Sequence, residues 1–395
     1  MAYLTMHFAP TSRGSGDGST YDNAAELFPS GNWSSLLTSN NYANSGIVAL
    51  CQNTSSYSLS QQGTTVVFSG GAPDTIGYGL SIIAADSSGN IIDPIDYGWS
   101  CAESDLDTTN YCTINYGLTT GALSSSTNIS FKCCKITSTN SNTTALFTSF
   151  IGLINWCSLE ITTGVSTALG ISFSTTSTGI TNSQIKILGA TGWNRIITAS
   201  STGLISNIRV KGSSSGAAGN RYGVAHSTSS NTIFTNGSIF ICDCPGIGLT
   251  NYSTNISAGL SASKLTIIDC GVGIKCLVST GGGVSKLALT DSMITGCTYG
   301  LSHPYGRYIL ENVVLRNTNN YETANGNYGG EPSVFITTEI DSDLYADYLN
   351  KDYRIKTTSS HWGKNRGAQD DEVSDGTGEI GIGIGIGRQL ARTME

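Results

Sequence analysis

Apolar residues in this chain come in bursts of three to five. They alternate with polar residues, and each burst gives way to glycine, serine or asparagine. A short period-2 pattern bounded by such residues predicts a strand. The bursts recur. "IFICDCPGIGL" (Ile239–Leu249), "LTIIDCGVGIK" (Leu265–Lys275) and "MITGCTYGLS" (Met293–Ser302) each run strand, cysteine, then glycine followed by isoleucine or leucine. Cys244, Cys270 and Cys297 lie 26 and 27 residues apart, and Gly248, Gly273 and Gly300 lie 25 and 27 apart. Looser copies stand upstream in "ISFKC", "SLEIT", "QIKIL" and "NIRVK", and one stands downstream in "YILENVVLRN" (Tyr308–Asn317). Helical spacing is confined to "DNAAELF" (Asp22–Phe28).

A unit of about 25 residues cannot bury its own apolar face, so it must stack on copies of itself. Short strands joined by tight Gly/Ser/Asn corners fit a coil whose strands pair with the same strands of the next coil, about 4.8 Å away. The prediction is an all-β right-handed parallel β-helix, a solenoid with an N-terminal cap and a C-terminal closing segment. A β-propeller repeats at about 40 residues or more with a Trp-Asp signature, and neither is present. A β-sandwich would not hold Cys and Gly at one common period, and the strict hexapeptides of left-handed solenoids are absent.

The expected map is a cap over 1–40 and coils over 41–320, irregular to about 120 and regular beyond. A closing segment follows over 321–370, then a tail over 371–395. Composition agrees with stacked coils. Charged residues are only 12%, while 38% are hydrophobic and 48 are glycine. That is well below the usual charged fraction of about 25%, and it is not the high-charge signature of disorder. The net charge of −8 and scattered basic residues argue against nucleic-acid binding. No apolar run approaches the roughly 20 residues that span a bilayer.

The coils resemble those shared by pectate-lyase-like proteins and phage tailspikes. "FAPTSRGSGDGSTYDNAAEL" (Phe8–Leu27) is similar to the N-terminal cap of that group, and "LNKDYRIKTTSSHWGKNRGAQDD" (Leu349–Asp371) to its closing segment. The resemblance covers most of the chain but concerns architecture, and this fold carries many functions. It implies two enzymatic routes: a lyase with a Lys or Arg base and often Ca²⁺, or a hydrolase with clustered carboxylates.

Acids are sparse in the regular coils: between residues 121 and 310 only Glu160, Asp243, Asp269 and Asp291 occur. Asp243, Asp269 and Asp291 each follow an apolar strand, spaced 26 and 22 apart, and Asn317 continues the series. Stacked as a ladder, neighbours stand about 5 Å apart and alternate members about 10 Å, from the inter-strand spacing. Those separations bracket the carboxylate pairs of glycosidases. The competing reading is that Asp at a strand end caps a turn through its own backbone, and it is favoured, because no sugar-stacking aromatics flank these positions.

The lyase route is weaker. Lys186, Arg209, Lys211, Lys264 and Lys286 alternate with apolar residues and are expected on a solvated face. Asp93, Asp96, Asp105 and Asp107 lack an ordered Ca²⁺ spacing, and "HPYGRY" (His303–Tyr308) reads as a surface turn. The odd count of 11 cysteines and the absence of C-x-x-C argue against a zinc site and for thiols filling a β core. Cys133 and Cys134 are expected on opposite faces of a strand, and Cys242 and Cys244 on one face. No cofactor is expected.

The tail holds "GEIGIGIGIGR" (Gly378–Arg388), in which Ile380, Ile382, Ile384 and Ile386 face one way in a strand and glycines the other. Such a strand must be covered. Two arrangements fit: a last edge strand of the same chain, or a wrap at the axis of a homotrimer. The N-terminus has no basic start or apolar core of a secretory signal, although the composition looks extracellular. Assembly in the cytoplasm of a phage host resolves that conflict. The expectation is a non-catalytic virion protein on the particle surface: a capsid decoration, head fibre or short tail spike. Its partners would be its own copies, other virion proteins and host surface polysaccharide. The alternative is a polysaccharide depolymerase using Asp243, Asp269 and Asp291.

Overall fold

The computed structural model describes residues 4–26, 47–59, 79–94, 106–116, 123–124, 128–138, 145–150, 152–161, 168–173, 179–188, 193–199, 204–213, 221–226, 232–234, 239–251, 260–276, 285–302, 306–321, 334–364 and 366–367. It is nearly all strand, in long parallel sheets, and the chain is a parallel β-helix solenoid. Two compact units form, one from residues 1–95 and 107–203, the other from 96–106 and 204–395.

In the second unit the first four coils each contribute one strand to each of three sheets. The first sheet stacks Leu204–Lys211, Ile239–Cys242, Leu265–Ile268, Met293–Thr295, Val313–Arg316 and Val334–Ile336. The second stacks Tyr222–His226, Ile247–Asn251, Val272–Cys276, Tyr299–Ser302 and Asn319–Tyr321. The third stacks Thr232–Phe234, Leu260–Ser263, Ser285–Thr290 and Gly306–Glu311. The sequence period is therefore one coil, and its apolar positions become columns. Val210, Ile241, Ile267, Ile294, Leu315 and Ile336 pair in register up the inside of the first sheet. Leu249, Ile274 and Leu301 do so in the second sheet, and Ala262, Leu289 and Leu310 in the third. A fully buried side chain of this size contributes about 1.5–3 kcal/mol, so stacking supplies what a single coil lacks.

The first sheet is apolar on both faces. Phe240, Thr266, Met293, Val314 and Phe335 form its outer column. A strap formed by residues 341–367 covers much of it. The strap opens with the short helix Asp341–Leu344. It continues as an antiparallel pair, Tyr345–Asp347 with Asp352–Ile355. Leu344, Tyr345, Tyr353 and Ile355 pack with Phe240, Cys242, Ile268, Met293 and Val314 in one cluster. The closing segment thus lies along the side of the coils.

The first unit repeats the device with a bend inside each strand pair. Ala49, Ile82, Phe131, Ile154 and Ile180 make one inner column, and Tyr57, Ile114, Ile136, Leu159 and Ile185 make another. Cys133, Trp156 and Asn182 turn the chain between them with φ of 55°, 53° and 47°. At the N-terminus, Leu4–Ala9 pairs with Ile47–Gln52, and the Tyr57 hydroxyl donates to the Phe8 carbonyl at 2.9 Å.

Two expectations are corrected here. The helix expected from Asp22 is a single 3-10 turn, Tyr21–Asn23, followed by the strand Ala25–Glu26. Pairing with Phe8–Ala9 captures the buried Ala25 and ends the turn. Cys242 and Cys244 do not share a face, because Asp243 between them has φ of 56°. Cys242 packs under the strap, whereas the Cys244 thiol turns back to its own Cys242 carbonyl at 3.6 Å.

Candidate functional site

The first sheet of the second unit begins and ends at sharp corners, and the candidate aspartates occupy them. Asp243 and Asp269 follow their strands with φ of 56° and 53°, and Gly296 takes the same place in the next coil with φ of 67°. Backbone bonds fix this column: the Asp243 amide donates to the Ile268 carbonyl, Asp269 to Thr295 and Gly296 to Arg316. Asp tolerates left-handed backbone better than most residues, which explains the residue type without chemistry. Asn317 ends the column, its amide side chain donating to the Ile294 carbonyl at 2.9 Å.

Asp291 is elsewhere. It precedes its strand, at the sheet's other corner, in a column with Lys264 and Asn312, whose φ values are 51° and 54°. The expected three-membered ladder is therefore a pair, Asp243 and Asp269, with Asp291 across the sheet. The spacing of 22 rather than 26 was the trace of this in the sequence.

The strap engages both corners. Lys351 Nζ lies 2.8 Å from Asp243 Oδ2. Burial opposes the charge on Lys351, but the bond to Asp243 outweighs it and holds the ammonium above its ordinary pKa. The Tyr348 hydroxyl donates to Asp269 Oδ1 at 2.7 Å, and that of Tyr353 lies 3.4 Å from Oδ2. Burial still raises the Asp269 carboxyl above its usual range, with the nearby Asp243 charge adding to it and the tyrosines partly offsetting it. The aromatic rings pack on one another: Tyr353 stacks on Phe240 at 5.5 Å between centroids, and Tyr345 on Tyr348 at 5.9 Å. Tyr345 also shares a 2.5 Å hydrogen bond with Thr295.

At the other corner, Asn312 Nδ2 donates to Asp291 Oδ1 at 2.7 Å and to the Lys364 carbonyl at 2.9 Å. Arg366 Nε donates to Asn312 Oδ1 at 2.7 Å, and the Gly367 amide donates to the Asp291 carbonyl at 2.7 Å. The Arg366 guanidinium lies 3.7 Å over the Phe335 ring and also contacts His361 Nδ1. Burial, and then the Arg366 charge, pull the His361 pKa down. Ser359 and Ser360 both donate to Glu339, at 2.7 and 2.9 Å.

The sequence reading missed the strap side chains. Lys351, Tyr348 and Tyr353 come from about 80–110 residues downstream of the carboxylates they meet, and only the cluster Tyr345, Tyr348, Tyr353 in one short stretch signals a packing surface. Aromatics do stand at the Asp243–Asp269 corner: the Tyr348 and Tyr353 rings pack edge to face at 5.7 Å, and their hydroxyls turn to Asp269. Among the lysines and arginines expected on a solvated face, Arg209 is 1% exposed, its guanidinium 5.5 Å from the Phe240 ring. Lys186 pairs with Glu160 at 3.1 Å, and Lys135 pairs with the same carboxylate at 3.1 Å.

Ten described cysteines are free thiols and all are buried. Cys244, Cys270 and Cys297 stack on successive coils, and burial pushes the Cys270 thiol well up. Among the described residues no three His, Cys, Asp or Glu side chains converge to hold a metal, and no helix is long and apolar enough to cross a membrane. Asp96, Asp105, His303 and the four isoleucines of the tail lie outside the described residues. No family model, curated protein or solved structure matches the chain.

Proposed function

We propose that this chain is a non-catalytic structural protein of a phage virion, a rigid β-helix displayed on the particle surface and assembled as a homotrimer. The observation that carries this reading is the use made of the three aspartates: each is bonded by, or lies in a corner bonded by, the chain's own strap. A carboxylate that anchors a strap contributes to stability and is not held out to a glycan. Low charge and buried thiols suit a protein made in the cytoplasm that functions outside it.

A second reading keeps one observation in its favour. Asp269 is held above the ordinary carboxylate range beside an Asp243 paired with Lys351, and enzymes that hydrolyse glycosides separate two carboxyls in this way. One experiment decides between them. Purified protein is incubated with capsular and pectic polysaccharides, reducing ends and unsaturated products are followed, and the mass is measured by light scattering. The virion reading expects three chains per particle and no product. Product formation that is lost in Asp269→Asn would establish the depolymerase, and a monomer would remove the trimer.

A further inference from the structure

The first unit holds a column of thiols inside one corner of its coils. The strand Cys112–Tyr116 pairs in register with Cys134–Ser138, so Cys112 stands directly beside Cys134. Cys157 continues the column on the next coil, and Ser183 ends it, its hydroxyl oxygen accepting the Cys157 amide at 2.9 Å. The second unit has the same device in Cys244, Cys270 and Cys297, ended by Asn317 Oδ1 on the Cys297 amide at 3.0 Å.

Five of these six thiols turn back on their own chain. Cys134, Cys157, Cys244, Cys270 and Cys297 each follow a left-handed residue. That corner lets each thiol donate to the carbonyl two residues before it, at 3.3–3.6 Å. Cys112 follows Tyr111, which is not left-handed. Its thiol points across the coils instead and lies 3.5 Å from Cys134 Sγ. The other cysteines nearby are differently placed: the Cys133 thiol meets the Ile92 carbonyl at 3.5 Å, and Cys51 pairs in register with Phe8 and Ala84. In-register strands set Cα atoms about 4.8 Å apart, within the roughly 4.4–6.8 Å that a disulfide spans. Rotation about the two Cα–Cβ bonds brings the sulfurs from contact to bonding distance. Bonds from Cys134 and Cys51 lower the Cys112 thiol despite its burial, and burial pushes the Cys134 thiol well up. Cys112 therefore gives up its proton first.

We infer that Cys112 and Cys134 form an oxidation site, at which a small disulfide such as oxidised glutathione makes a cross-coil disulfide that staples two successive coils of the first unit. The Cys112 thiolate attacks one sulfur of the oxidant and releases one thiolate. The Cys134 thiolate then attacks the Cys112 sulfur of this mixed disulfide and releases the second. The protein dithiol loses two electrons, the oxidant is reduced to two thiols, and the two protons pass to them. Both cysteines are fully buried, so the exchange runs through local opening and is slow in the folded chain. The bond closes a loop of one coil and constrains the unfolded state. In the virion reading the chain passes from a reducing cytoplasm to an oxidising exterior, where the staple closes.

Reduced full-length protein is incubated with oxidised glutathione, in native buffer and in urea below the unfolding transition, so that slow opening does not hide the reaction. Free thiols are then blocked with N-ethylmaleimide in full denaturant, and the chain is digested without reductant. Mass spectrometry should find a cross-linked peptide pair joining Cys112 to Cys134. The urea midpoint of the oxidised protein should rise, and dithiothreitol should return it. Blocked thiols at both positions in both buffers would overturn the assignment. So would a bond from Cys134 to Cys157 or from Cys112 to Cys51, and a midpoint that does not rise would remove the staple. The mapping uses the native sequence, so no variant has to fold. Chain number and inactivity on glycans are read separately, so failure here leaves the virion reading standing.

Discussion

Lys351 Nζ reaches Asp243 Oδ2 at 2.8 Å, across 108 residues of chain. This contact joins the strap to the corner of a coil. It leaves Asp243 nearly buried, with 9% of its side chain exposed, while Lys351 keeps 42%. The asymmetry sets the energetics. An ion pair with one exposed partner adds at most about 1 kcal/mol, but removing the lysine leaves a buried carboxylate without its partner. Lys351→Met is therefore expected to destabilise the second unit by about 1–2 kcal/mol. Lys351→Met combined with Asp243→Asn should cost less than the lysine change alone. Urea midpoints of the four proteins check this, and equal losses would show that the pair is solvated.

Gly296 occupies the place that Asp takes in the two preceding coils because Asp269 leans over it. A Cβ there would stand 2.3 Å from Asp269 Oδ1, and φ is 67°. Gly296→Ala should cost about 1–3 kcal/mol, from strain and from pushing the carboxylate off Tyr348. Asp269→Ala should relieve the steric part, so the double variant is expected to be less destabilised than the sum of the singles. Additive losses in thermal unfolding would place the whole cost in the backbone.

Much of this fold was legible from the sequence, because one coil is one period and each apolar burst is one strand. Ile241, Ile267 and Ile294 fall in a column for that reason. The candidate site was less legible. The spacing of 26 residues stacks Asp243 on Asp269, but the 22 before Asp291 skips to the other corner, and the third sheet's longer strands hide that difference. The partners of these acids were beyond reach, since Lys351 and Arg366 act through a strap whose path over the outer face no local pattern encodes. The continuous apolar run of "IFIC" was the visible hint, because a strand buried on both faces needs a cover outside as well as a core inside.

In the first unit, Glu160 stands between Lys135 and Lys186 on three successive strands, 3.1 Å from each. Removing its charge leaves two ammonium groups facing an uncharged centre. Glu160→Gln is expected to destabilise by about 0.5–1 kcal/mol at low salt. The loss should shrink as ionic strength rises and screening sets in. Denaturation at low and at high salt reads this out. A loss indifferent to salt would point to packing instead.

His361 gives the strap a pH dependence of defined sign. Arg366 can only donate, so its contact with Nδ1 requires a neutral imidazole with that nitrogen free to accept. Burial and the Arg366 charge lower the folded-state pKa below 6.5. The unfolded chain therefore binds the proton more readily, and this stabilising contribution is present above pH 6.5 and lost as pH falls through the folded value. Asp269 works the other way. Its raised pKa means that its cost is relieved as pH falls toward 3.8. Glu339, held below its ordinary range where burial is outweighed by the hydrogen bonds from Ser360 and Ser359, contributes stability that is lost only at more acid pH. The histidine's share is read between pH 7 and 5.5 by comparison with a variant that does not titrate there. Limited proteolysis of the strap should quicken over that interval in the native protein. In His361→Gln, which accepts from Arg366 without titrating, the rate should stay flat. A native rate that does not change with pH would mean that His361 stays neutral over this interval or that its contact with Arg366 does not hold the strap, and would remove the histidine as the control on the strap.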